Sequence, residues 1–181
     1  MRWRRYCSTA EVSGNIRWSY FSGLLYYGTF DQAPTLSADG KTLYAGCWDR
    51  FVYAFDTATG VVRWKSPDLG ASVATSPGVG TNGYVYVATR SRQVHALNGA
   101  TGQIIWTYGT NSQIIYSSPV IGIDGTVYVG SGDSHLYALD GITGAKKWSY
   151  DVIGVITTTP AIGADGTIYI GPQTENFYAI R

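Results

Sequence analysis

Charge is scarce in this sequence. Asp, Glu, Lys and Arg make up 14% of its 181 residues, against a usual share of about 25%. The formal net charge is +1. So even a balance predicts no attraction to nucleic acid or to an acidic membrane surface. The exception, Arg2, Arg4 and Arg5, reads as a solvated tail. Cysteine is limited to Cys7 and Cys47. Two residues so far apart make neither a disulfide framework nor a CxxC redox pair; they bridge once or stay free thiols. Glutamate is limited to Glu11 and Glu175, and histidine to His95 and His135. No apolar run approaches the ~20 residues of a membrane-spanning helix. Cys7-Ser-Thr-Ala-Glu11 interrupts any secretory apolar region after Met1-Arg-Trp-Arg-Arg-Tyr6. The sequence as given is therefore expected to be soluble, with no membrane insertion and no visible address. Apolar patterns of helical period and useful length are also missing.

Tyr (15 copies) and Gly (23 copies) are plentiful, and 45% of the residues are hydrophobic. That mixture favours strands joined by tight turns. One string recurs in register. Ala54-Phe-Asp56-Thr-Ala-Thr59-Gly60-Val-Val-Arg-Trp64 is followed 42 residues later by Ala96-Leu-Asn98-Gly-Ala-Thr101-Gly102-Gln-Ile-Ile-Trp106. After the same interval comes Ala138-Leu-Asp140-Gly-Ile-Thr143-Gly144-Ala-Lys-Lys-Trp148. A period of this length marks a repeat architecture.

The repeat from Gln113 to Gly154 predicts four strands, at Ile114–Ile121, Thr126–Gly130, His135–Leu139 and Ala145–Tyr150. Asp124-Gly125 should form a two-residue hairpin turn. Asp39-Gly40, Asn82-Gly83 and Asp165-Gly166 stand at the same point of the other units. Pro34, Pro77, Pro119 and Pro160 share one position in the first strand, which makes it an edge strand because proline cannot donate to a ladder. Third strands such as Phe51-Val-Tyr-Ala-Phe55 are apolar on both faces, as in a sheet held between two others. Radial stacking of four-stranded antiparallel sheets satisfies all of this. The predicted fold is an all-β β-propeller of about four repeats, either an open arc or closed through the N-terminal strand. Residues 1–181 form one domain, with repeats at about 30–70, 71–112, 113–154 and 155–181, and residues 14–20 as a candidate closing strand. Gly14-Asn-Ile-Arg-Trp18 is a weaker copy of the motif tail, with Ser8 and Ala10 in place of its Ala and Asp. The link holding Leu24, Leu25, Tyr26 and Tyr27 is the least regular stretch.

The unit Ala-x-Asp-x-x-Thr-Gly-x-x-x-Trp resembles the tryptophan-docking motif of pyrroloquinoline-quinone (PQQ)-like β-propeller repeats. The stretch Ser-Ser-Pro-Val-Ile-Gly-Ile-Asp-Gly-Thr-Val-Tyr-Val-Gly (117–130) resembles the same repeat. The likeness extends over nearly the whole chain. It implies that Trp64, Trp106 and Trp148 dock between successive blades. Physically, the Gly closes a turn that needs an unusual backbone angle, Asp or Asn and Thr hold turn amides, and Ala leaves flat space for a neighbouring indole.

Family members that are quinone-dependent dehydrogenases carry adjacent cysteines and Glu, Asn and Asp ligands for calcium. None of these patterns is visible here. No cofactor and no metal is expected, and no catalytic residue is assigned. His95 holds a slot taken by Tyr53, Tyr137 and Tyr178 and reads as a packing residue. His135 stands at another slot, so the two make a poor metal site. Among the hydroxyl-rich residues beside the prolines, Gln32, Ser76, Ser118 and Thr159 are the channel-lining candidates. The expected function is a non-catalytic scaffold for a protein, peptide or carbohydrate partner, with a homodimer as one route to a larger ring. The alternative is a fragment of a PQQ-dependent alcohol or sugar dehydrogenase whose site residues lie elsewhere. Relatives are mostly periplasmic or secreted; the compartment of this chain is left open.

Overall fold

The computed structural model describes residues 15–23, 28–114 and 116–181. The N-terminal arginines, Cys7, Ser8, Ala10, Glu11 and the stretch Leu24 to Tyr27 lie outside the described residues. Fifteen strands run in chain order: β1 (Thr35–Leu36), β2 (Thr42–Gly46), β3 (Val52–Asp56), β4 (Val62–Lys65), β5 (Gly78–Val79), β6 (Tyr84–Thr89), β7 (Gln93–Asn98), β8 (Ile104–Gly109), β9 (Val120–Ile121), β10 (Thr126–Gly130), β11 (His135–Asp140), β12 (Lys146–Asp151), β13 (Ala161–Ile162), β14 (Ile168–Ile170) and β15 (Tyr178–Ile180). They make four antiparallel meanders, β1–β4, β5–β8, β9–β12 and β13–β15. The fourth has three strands among the described residues.

The register repeats from sheet to sheet. Tyr44 pairs with Ala54, Tyr86 with Ala96, Tyr128 with Ala138 and Tyr169 with Ala179. A β-bulge follows Ala54, Ala96 and Ala138 in turn. Such a bulge adds local twist, which keeps each outer strand coiled around its blade.

The core lies between sheets, not within one. Tyr44, Val52 and Ala54 of the first sheet meet Val85, Val87 and Leu97 of the second. Tyr86, Val94 and Trp106 of the second meet Val127, Tyr137 and Leu139 of the third. Leu136 of the third meets Ile168 and Ile170 of the fourth. Burying each such side chain contributes about 1.5–3 kcal/mol. This explains why the third strands β3, β7 and β11 are apolar on both faces: each is covered from two sides.

Two expectations are corrected. The first strand of the third blade is Val120–Ile121 only, not Ile114–Ile121. Pro119 removes a donor, and Tyr116 has a left-handed φ of 65°, which breaks an extended strand. Side chains replace the missing ladder. Ser117 Oγ accepts the Gly130 amide at 2.8 Å. In the second blade Thr75 Oγ1 accepts from Ala88 N and donates to Ala88 O. The Asp124-Gly125 turn also differs. Only Gly125 is left-handed, with φ 79°, and Gly125 N donates to Gly122 O. This is a type I turn with a glycine bulge, not a two-residue loop. Asp124 supports it by accepting from Thr126 N and Oγ1.

Among the described residues the sheets do not close into a ring. Residues 15–20 lie on the first blade instead: Trp18 stacks on Phe55 and Tyr20 packs edge-on against it. β15 pairs with β14, and with no other strand among the described residues. No helix among them is long and apolar enough to cross a membrane.

Candidate functional site

The repeated motif builds the blade junctions. Its turn is held by one carboxylate oxygen. Asp56 Oδ1 accepts from Ala58 N, Thr59 N and Thr59 Oγ1 at 2.9–3.0 Å. Asp140 does the same with Ile142 and Thr143, and Asn98 Oδ1 takes the two backbone donors at 100 and 101. Arg63 beside Asp56, with the turn donors, holds that carboxyl down to about 2. The Thr143 amide and hydroxyl lower Asp140.

Gly60, Gly102 and Gly144 then take φ of 72–74°, and each lies flat under an indole from the preceding unit. A Cβ on Gly60 would come 2.6 Å from Trp18, on Gly102 2.5 Å from Trp64, and on Gly144 2.6 Å from Trp106. The indole Nε1 reaches the same turn: Trp18 donates to Thr57 O, Trp64 to Gly99 O and Trp106 to Gly141 O, at 2.9–3.0 Å. Tyr44 and Tyr86 hydroxyls donate to Gly99 O and Gly141 O as well. The neighbouring indole thus rests on the motif glycine. The motif alanines Ala54, Ala96 and Ala138 instead face their own Trp64, Trp106 and Trp148 across the strand pair. Trp148 is half-buried and packs on Tyr128.

The channel-lining candidates split. Ser76 N donates to Ser118 Oγ at 2.9 Å, and Ser118 N to Thr159 Oγ1 at 3.1 Å. These three link adjacent inner strands hand to hand. Gln32 stands one slot earlier, in the position of Thr75, Ser117 and Thr158, and Ala33 holds the slot of Ser76.

The opposite ends of the sheets carry the turns between second and third strands, together with the linkers from blade to blade. Ser72 Oγ donates to Trp48 O, Arg90 N to Ser72 O, and Gly132 N to Gln113 O. Arg50, Arg92 and Ser134 hold equivalent left-handed positions there, with φ of 67–78°. Their carbonyls accept from Leu69 N, Thr110 N and Val152 N, so each linker is tied to the turn beneath it.

Two of these turns contain an acid–phenol pair. Tyr53 Oη donates to Asp49 at 2.6 Å and Tyr137 Oη to Asp133 at 2.7 Å. Burial, then the neighbouring carboxylate, pushes both phenols up. The sequence reading missed these pairs, although an Asp four residues before a Tyr in both Asp49/Tyr53 and Asp133/Tyr137 is a legible signal.

In the second blade the same two slots hold Ser91 and His95. His95 is buried, with Nδ1 3.0 Å from Thr107 Oγ1 and Nε2 without a partner among the described residues. Burial lowers its pKa to about 4. His135 Nδ1 lies 2.8 Å from Asp133 O.

The donor set of the described residues does not fit calcium and quinone. Asp39, Asp124 and Asp165 each accept from their own turns. Among the described residues no three His, Cys, Asp or Glu side chains cluster as a metal site. Cys47 is a buried free thiol, pushed up to about 12 chiefly by burial.

No curated protein matches the chain. Among solved structures it is similar to BamB from Moraxella catarrhalis, with a TM-score of 0.78 and 25% identity. The match covers 92% of this chain and 50% of that one, so the chain spans about half the length of its relative. The family model described as outer membrane protein assembly factor BamB matches residues 48–181. With three indole-on-glycine junctions in repeat register and this match over most of its length, the chain belongs to the BamB family of PQQ-like β-propeller repeats.

Proposed function

We propose that this chain is a non-catalytic binding scaffold that holds turns and linkers in fixed positions for a protein partner in membrane-protein assembly. The family match over residues 48–181 carries this reading. Physical features support it. The polar chemistry at the junctions is spent on turns and interblade bonds, which favours rigidity over reaction. A rigid array loses little conformational entropy when it binds, so its loops act as a preorganised surface.

The test is photo-crosslinking from the turns near Arg50, Arg92 and Ser134 in cells that assemble outer-membrane proteins. A discrete protein adduct is the expected result. A parallel titration with PQQ and calcium should give no saturable change in quinone absorbance. Saturable binding, with no protein adduct, would overturn the proposal in favour of a dehydrogenase fragment. Mass in solution tests the pairing of two copies separately; a single-chain mass rules it out.

A further inference from the structure

The turn between β6 and β7 departs from the repeat. Equivalent turns read Trp48-Asp49-Arg50 in the first blade, Gly132-Asp133-Ser134 in the third and Gln173-Thr174-Glu175 in the fourth. Here they give way to Arg90-Ser91-Arg92. Two neighbours supply a carboxylate that Tyr53 or Tyr137 caps, whereas this turn has a serine between two guanidiniums. Thr174 also lacks the Asp, but the pair of flanking guanidiniums occurs at this turn alone among the four, and scaffolding requires only what the repeats share.

That turn borders a cleft between the first and second blades, with a volume of about 640 Å³. This is within the ~300–1,000 Å³ usual for ligand sites. Trp48, Asp49, Arg50, Ser72, Arg90 and Gln113 are among the residues that line it. The Arg90 guanidinium lies 5.2 Å from the Trp48 ring centre. Stacking of this kind fixes the plane of the fork and leaves its edge free for a carboxylate.

The acids already present are engaged. Arg50 pairs with Asp68 at 2.9 Å. Buried Asp49 accepts from Tyr53 and lies 3.6 Å from Lys65. Arg90 and Arg92 have no carboxylate within ion-pair distance among the described residues. Trp48 Nε1 is buried beneath the cleft surface and has no acceptor among the described residues. Gln113 is exposed and offers an amide suited to a peptide backbone.

We propose that the Trp48–Arg90 cleft binds an acidic segment of a partner protein, with Arg90 taking a side-chain carboxylate and Trp48 the apolar neighbour of that residue. This rests on the scaffold reading above. The mixed wall favours such a peptide over a nucleic acid, since the chain has no basic stripe and a net charge of only +1.

The experiment is fluorescence anisotropy on the whole chain with a short fluorescein-labelled peptide alternating Asp and Leu. Its Asn/Leu counterpart and a single-stranded oligonucleotide serve as controls. The Asp/Leu peptide should bind in a salt-dependent way, and the controls should bind more weakly. Arg90→Gln should weaken it roughly five- to tenfold. Ser91→Asp, which restores the acid found in two other blades and so suits the fold, should weaken it as much by occupying the guanidiniums from within. Lys146→Gln, on the exposed β12, should leave it unchanged. Equal binding of the Asp and Asn peptides, wild-type binding by Ser91→Asp, tighter binding of the oligonucleotide, or no peptide binding at all overturns the cleft. A protein crosslink that persists in Arg90→Gln cells leaves the scaffold reading standing while the cleft falls; loss of every crosslink in the wild type removes both.

Discussion

His95 is the residue whose ionisation bears most directly on stability. Its folded pKa of about 4 lies below the unfolded value near 6.5. The unfolded chain therefore binds the proton more readily, and stability rises with pH across that interval. The neutral imidazole's contribution is complete above pH ~6.5 and is lost as pH falls toward 4, a change on the order of 3 kcal/mol. Urea midpoints measured between pH 7 and 4.5 should fall for the wild type and stay flatter for His95→Phe. Parallel slopes would show that His95 is not the group responsible. The carboxylates act lower: Asp56, held at about 2, loses its contribution only as pH drops below the usual range near 4.

Glycine separates two effects at the same scale. Gly102 and Gly125 are both left-handed, but a Cβ at 102 strikes Trp64 whereas one at 125 meets nothing within 4 Å. Gly125→Ala should cost about 1–2 kcal/mol from backbone strain alone. Gly102→Ala should cost more, because the indole must also move, and Trp106→Ala should cost about 3–5 kcal/mol. Chemical denaturation checks all three. Equal costs for the two glycine variants would remove the indole contact as a source of stability.

At the scale of elements, the inner strands are the least conventional part. Each is two residues long and follows a proline, so it cannot hold itself to the sheet by its ladder. Buried hydroxyls take over, as Ser117 does for Gly130 and Thr75 for Ala88. Ser117→Ala should cost about 1–3 kcal/mol by leaving a buried amide unsatisfied. A cost within ±0.5 kcal/mol would mean that the strand is held by its interblade contacts instead. The serines and threonines here were legible as polar residues near an axis. Their use as backbone substitutes was not, because a hydroxyl's partner thirteen residues away depends on the register of two strands.

At the scale of the whole molecule, stability should be graded along the arc. The middle sheets are covered on both faces, whereas β15 is only half-buried and Phe177 is exposed. In a quasi-one-dimensional array, units with two neighbours open less often than units with one. Hydrogen exchange should be slowest in β6, β7, β10 and β11 and faster in β14 and β15. Uniform protection across all four sheets would indicate a cooperative body that the stacked-repeat picture does not describe.

The sequence by itself determined the repeat, its turns and its sheets. The Asp or Asn, Thr and Gly of each motif act within a single turn, and local chemistry of that kind is written in spacing. What lay beyond its reach were relations between units. That the indole rests on the next motif's glycine and not on an alanine is decided by how two twisted sheets stack. That Ser76, Ser118 and Thr159 bond to one another in a row is decided by how neighbouring inner strands are set side by side, although Gln32, two residues before its proline where the others stand one before theirs, was already out of step in the sequence. And the meeting of Trp48 with Arg90, from turns of different blades, exists only once the sheets are packed, because nothing local brings an indole and a guanidinium 42 residues apart into contact.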